Sequence, residues 1–214
     1  MPLLKEALHI LWTEKLTPPF FLAGIHANER RMREYGTAGQ PDYAGRGDLA
    51  PRYETFVITE LLPYLQQRYP LTDDPARRTI AGFSLGALSA LDIAWRNPDH
   101  FLTAGVFSGS LWWRSAAFDP DDPDANRIMH ATIAEGPRRD GFRCWLQAGT
   151  EDETDDRNHN GIIDAIDDTL DLIKVFKTLG CREGKDIHYL EVAGGRHEPA
   201  TWARVLPDFL RWVG

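Results

Sequence analysis

Residues 78–97 read RTIAGFSLGALSALDIAWRN. Arg78-Thr79-Ile80-Ala81-Gly82-Phe83 is a short β-type run, and Ala87 to Asn97 has helical spacing closed by Pro98. Between them, Gly82-Phe83-Ser84-Leu85-Gly86 fits G-x-S-x-G. A strand that turns into a helix at a serine flanked by small residues is the setting of a nucleophile elbow. There the serine takes a strained backbone, and the glycines keep the turn free of clashes. A Gly-rich turn with a bystander serine is the competing reading of the same residues.

The rest of the chain repeats the strand-then-helix alternation. Upstream, Phe20 to Ile25 reads as a strand, followed by a polar, Gly-rich loop from His26 to about Leu49. Tyr53 to Tyr69 reads as a helix in which Pro63 predicts a kink. Downstream, Thr103 to Phe107 is a strand. A Pro/Asp-rich loop over Phe118 to Ala125 and a helix around Arg127 to Glu135 follow. Phe142 to Gln147 and Ile187 to Val192 are the last strands. Leu172, Val175, Phe176 and Leu179 repeat at i, i+3, i+4, i+7. Pro199 opens a final helix with Trp202, Val205, Leu206 and Phe209 on one face. This pattern predicts an α/β fold with a mostly parallel sheet. With 214 residues, 43% apolar, and neither repeat nor linker, a single domain over 1–214 is expected.

A serine hydroxyl is a weak nucleophile, so the elbow demands an acid and then a histidine later in the chain. Of the seven histidines, His9, His100, His130 and His188 lie in or at the ends of predicted elements and read as packing or surface residues. His26 follows a predicted strand, where it could line a site. His197, in Gly194-Gly195-Arg196-His197 after the last strand, is the candidate base. The acid belongs at the end of the preceding strand, in Gly149-Thr150-Glu151-Asp152-Glu153. Asp152 is the first choice and Glu153 the alternative.

Taken together, GFSLGA at 82–87, SGSLWW at 108–113, AGTEDE at 148–153 and GGRHEPATW at 194–202 resemble the esterase-D, or "putative esterase", branch of the α/β-hydrolases. Arg30 to Tyr35 also resembles its R-x-x-E-Y segment. The resemblance runs from about Phe20 to the C-terminus. It implies a three-layer α/β-hydrolase-like fold, with Ser84 as nucleophile, Asp152 as acid and His197 as base. Such hydrolases begin with three further strands. The loop after the third supplies one oxyanion amide, and the residue after the nucleophile, here Leu85, supplies the other. No strand is read ahead of Leu3, so the expectation is an N-terminally truncated version, or one whose gap a partner closes, which leaves room for a homo-oligomer. Losing one oxyanion donor typically costs about 10²–10³ in kcat.

The net charge of −8 is local. Residues 151–171 hold nine acids against one base, Arg157, and the remaining 23 acids and 23 bases cancel. Such a concentration points to a cation. Asp156-Arg-Asn158-His-Asn160-Gly161-Ile162-Ile163-Asp164-Ala-Ile-Asp167 matches the D-x-[DN]-x-[DN]-G loop. It places side-chain oxygens at Asp156, Asn158, Asn160, Asp164 and Asp167, and a backbone oxygen at Ile162, as a structural Ca²⁺ needs. An Asx-rich turn capping the next helix is the alternative. His159 as a lone imidazole among carboxylates argues against zinc.

No basic stripe marks a nucleic-acid surface, no apolar run of about 18 to 20 residues marks a membrane span, and MPLLKEALHILW makes a poor signal peptide. Two cysteines provide no disulfide framework, so the cytoplasm is the default compartment. The residues thus predict a serine carboxylic-ester hydrolase for a small-molecule ester, needing no cofactor for catalysis. Trp112 and Trp113 either wall its pocket or pack in the core. A non-catalytic, calcium-stabilised hydrolase-like binding module is the second expectation.

Overall fold

The computed structural model describes residues 8–9, 11–14 and 17–214. The opening stretch MPLLKEALHILW lies partly outside the described residues; 8–9 and 11–13 are helical. Four strands form one sheet in the order β1-β2-β3-β4: β1 Thr79–Phe83, β2 Thr103–Phe107, β3 Arg143–Glu151 and β4 Ile187–Arg196. All pairs are parallel, with Ile80, Ala104, Cys144 and Ile187 in register. Three short elements precede the sheet: α1 Arg31–Glu34, α2 Ala50–Thr55 and α3 Leu62–Gln66. The longer helices are α4 Leu85–Arg96, α5 Ile128–Glu135, α6 Asp164–Thr178 and α7 Pro199–Val213.

Alternation along the strands sorts the core into two layers. Ala104, Val106, Cys144 and Leu146 pack with Leu88 and Leu91 of α4, Met129 and Ile133 of α5, and Leu172 and Phe176 of α6. Phe107, Trp145 and Val192 point to the opposite face and meet Val205, Phe209 and Leu210 of α7. Buried on both faces, β2 is apolar or small at every position from Ala104 to Phe107, as a central parallel strand should be.

One expectation is corrected, and another gains detail. Phe20 to Ile25 is not a strand; the backbone over 18–28 has no regular structure, and Phe20, Phe21, Leu22 and Ile25 are exposed. β-propensity describes a side chain that fits a pleated surface, and this run pairs with no strand among the described residues. Its Phe21 ring meets Tyr69 at 5.7 Å. In the helix over Tyr53–Tyr69 the turn before Pro63 is widened. Phe56–Leu61 is a π-helical turn, and the Leu62 N–H donates to Val57 O. Proline has no N–H to donate and its ring crowds the carbonyl four residues back, so an extra residue in the preceding turn relieves both problems.

Because all four strands run the same way, their C-terminal ends share one edge. The loops that leave Phe83, Phe107, Glu151 and Arg196 gather there, which is where open α/β sheets place their chemistry.

Candidate active site

Ser84 has φ 56° and ψ −126°, a conformation L-residues rarely hold. Neighbouring bonds fix it there. The Ser84 N–H donates to Phe107 O at 2.9 Å, and Ser84 O accepts from Ala87 at 3.0 Å and from Ser110 at 3.3 Å. Such strain costs about 1–3 kcal/mol and persists only where surroundings over-determine it. Gly82 shows why the motif needs glycine: a Cβ there would lie 2.2 Å from Gly86 O and 2.8 Å from Ala87 N, inside the backbone of the first turn of α4. Leu85 is the first residue of α4, so its N–H stands at the end of the helix where no intrahelical acceptor exists.

Asp152 follows β3 in a tight bend. Its Oδ2 accepts from the Gly149 N–H at 2.9 Å, while Oδ1 is buried without a hydrogen-bond partner. A buried carboxylate oxygen in this state has capacity for one more donor. Glu153 points elsewhere, toward the Ala165 N–H at the start of α6. Burial pushes it up to about 7, nearby Asp164 and Asp155 push the same way, and the Ala165 amide opposes them. In the folded chain this carboxyl therefore holds its proton above the roughly 4.3 of a free Glu. Stability is lost as pH rises from there through about 7. Glu153→Gln is accordingly expected to raise Tm at pH 8 and leave it unchanged at pH 4, as thermal melts at both values will show.

His197 sits in a turn closed by Glu198 N–H to Arg196 O at 2.7 Å, with its ring exposed. Ser84, Asp152 and His197 are not hydrogen-bonded to one another in this structure. Their loops are nevertheless tied together. The Gly194 N–H donates to Thr150 Oγ1 at 2.8 Å, and Arg196 Nε pairs with Glu151 at 3.0 Å. The Gly195 backbone covers Gly149 so closely that a Cβ on Gly149 would meet Gly195 O at 2.3 Å. A residue not singled out in the sequence as part of the site, Trp202, adds a further link. Its ring stacks on Phe83 and lies edge-to-face with His197.

The other predicted positions separate. Trp113 is fully buried, and of the pair only Trp112, 37% exposed, offers a face to solvent. The Arg46 guanidinium lies 5.0 Å from the Trp112 ring. His26 lies exposed in the irregular run before α1. His130 is a core residue. Burial and Arg127 push it down to about 3, and its Nε2 lies 2.9 Å from Asp168 O. A cavity of about 480 Å³ lined by Asp92, Arg96, Thr132 and Glu135 lies at the far end of α4 from Ser84, so it is not where the elbow's chemistry would occur.

In the acidic loop, Asp156 accepts from the Asn160 and Gly161 N–H groups, and Gly161 takes φ 85°. Asn158 Nδ2 and Asn160 Nδ2 both lie 2.9 Å from Asp167 Oδ2. Asp156, Asn158, Asn160 and Asp167 therefore come together, and Ile162 lies exposed at the tip. Asp164 turns away to accept from the Arg157 N–H at 2.9 Å. Among the described residues no three His, Cys, Asp or Glu side chains group as metal ligands.

The structure also supplies countercharge to this segment from arginine side chains. Arg157, its side chain 4% exposed, lies within 4 Å of Asp124, Asp164, Asp167, Asp168 and Asp171. Arg127, from outside the segment, pairs with Asp168 at 2.7 Å and Asp171 at 2.9 Å.

Comparison with known proteins agrees with this architecture. The chain is 26% identical over 166 residues to the iron(III) enterobactin esterase of Dickeya dadantii, covering 73% of this chain and 34% of that protein. The enterobactin esterase FES from Shigella flexneri superposes with a TM-score of 0.67 at 22% identity, covering 96% of this chain and 47% of that one. A ferulic acid esterase superposes with a TM-score of 0.64 at 18% identity, covering 98% and 76%. The chain thus spans a third to a half of the enterobactin esterases it matches. No helix among the described residues is long and apolar enough to cross a membrane. A family model described as "Putative esterase" matches residues 4–213, and the chain belongs to that family.

Proposed function

We propose that this chain hydrolyses a small-molecule carboxylic ester through an acyl-enzyme on Ser84. His197 takes the Oγ proton as the hydroxyl attacks the ester carbonyl, and Asp152 Oδ1 holds the imidazole through its other nitrogen. The Leu85 N–H donates to the oxyanion as it forms. Collapse expels the alcohol, which receives the proton from His197, and water then releases the acid by the same steps in reverse order. In this reading Trp112, the exposed member of the pair, walls the substrate side. The observation that carries the reading is the strained, positive-φ backbone of Ser84 at the turn between β1 and α4. The esterase names of its relatives support it. Turnover of p-nitrophenyl acetate by wild type and by Ser84→Ala is the test. Equal rates would leave the non-catalytic module as the better account.

A structural Ca²⁺ in the 156–167 loop belongs to the same proposal, supported by the convergence of Asp156, Asn158, Asn160 and Asp167 around a Gly161 with positive φ. Rotating the two amides would present oxygens in place of nitrogens to a hard cation. EDTA is expected to lower Tm and excess Ca²⁺ to restore it, with Mg²⁺ a poor substitute. Asp156→Ala with Asn160→Ala should abolish that response. Calorimetry without heat at millimolar Ca²⁺ would reduce the loop to a capped turn.

A further inference from the structure

His197 has an exposed ring on a tight turn, and the contact that defines where this ring lies is Trp202, at 5.3 Å between centroids and 84° between planes. The indole is itself held at two other points. Its Nε1–H donates to Ser108 Oγ at 2.9 Å, and its plane stacks on Phe83 at 5.0 Å and 21°. Phe83 is the residue immediately before Ser84. Ser108 is no loose anchor either. It has φ 44°, its N–H donates to Gln147 O at 2.8 Å, and its Oγ lies 3.5 Å from Gln147 Oε1. One rigid ring thus spans the ends of β1 and β2 and the loop after β4, and touches the neighbour of the nucleophile on one side and the base on the other.

We propose that Trp202 is a positioning residue for His197, setting the imidazole's approach to Ser84. The inference rests on the reading of Ser84 and His197 as nucleophile and base. The physical argument is one of entropy. An exposed imidazole on a turn samples many rotamers, and the general base works only from those within hydrogen-bond reach of Oγ. The edge-to-face contact favours rotamers that keep the imidazole against the indole, at the modest energy typical of aromatic pairs. Because the indole is fixed by a helix, a stack and a hydrogen bond, that restriction is built before substrate arrives.

A double-mutant cycle on kcat/KM for p-nitrophenyl acetate with Trp202→Leu and His197→Ala distinguishes positioning from mere packing. In the presence of His197, Trp202→Leu is expected to lower kcat about 10–100-fold with KM changed by less than about threefold, as displacement of a catalytic group does. In the His197→Ala background the same substitution should change the residual rate by less than about twofold. Trp202→Phe, which keeps a ring against His197 and Phe83, should recover most of the loss. Equal losses in both backgrounds, or no loss beside an intact His197, would overturn the proposal. His197→Ala with wild-type rates would instead overturn the assignment of the base, a separate result. If Trp202→Leu fails to fold, Ser108→Gly replaces it in the cycle. That change removes the indole's acceptor and suits the positive φ, and the same two outcomes decide.

Discussion

Ser84→Ala is expected to lower kcat/KM for p-nitrophenyl acetate by at least about a thousandfold, and to do so without loss of fold. Removing Oγ removes the atom that bonds to the acyl carbon, and the Leu85 N–H cannot compensate for that. What remains is whatever positioning and the Leu85 N–H do for attack by water. His197→Ala should cost nearly as much, and the double variant little more than either, because groups that act in one step are not additive. Stability provides a second reading from the same position. Alanine inherits the φ of 56° and should leave the urea midpoint nearly unchanged. Ser84→Gly, free of the left-handed penalty, should be more stable by about 1 kcal/mol. A serine that can be replaced by alanine without kinetic cost would mean that the elbow is scaffold only.

The elbow was legible in the sequence because its cause is local. A positive φ at Ser84 and the 2.2 Å gap between a Gly82 Cβ and Gly86 O constrain residues within five positions of one another. The β2 and β3 strands were legible for a related reason: central parallel strands are buried on both faces and need no partner to be recognised. Phe20 to Ile25 has the composition of a strand, but pairing is a property of two segments, and composition reports on only one. Trp202 was readable as a member of the α7 apolar face. Its link to His197 depends on Ser108 and Phe83, 94 and 119 positions earlier, and nothing in its own neighbourhood announces it. Its place in GGRHEPATW, five residues after the histidine, was the one available signal.

The acidic segment's partners were not legible for a different reason, and one of them gives the largest stability effect expected. Counting nine acids against one base over 151–171 stops at the segment's ends. The structure brings Arg127 in from 24 residues upstream. Its side chain is 7% exposed, and Asp168, its partner at 2.7 Å, is 2% exposed. Taking charges out of water is offset only while both partners are present, and removing one leaves the other buried and unpaired. Arg127→Met is therefore expected to destabilise by about 3–5 kcal/mol in urea unfolding, a large part of the roughly 5–15 kcal/mol of a typical domain. Arg127→Lys keeps the charge but not the fork that reaches Asp168 and Asp171 together, and should lose less. Pairing Arg127→Met with Asp168→Leu should recover part of the loss, because an apolar pair leaves no orphaned carboxylate behind. Arg157 limits the damage at Asp168, 3.1 Å away, but it also serves Asp124 and Asp164. If the single variant proves as stable as wild type, these arginines are not what balances the acids. The effect of EDTA would then decide whether a bound cation does, since a metal that supplies the countercharge makes the melting temperature depend on it in wild type and variant alike.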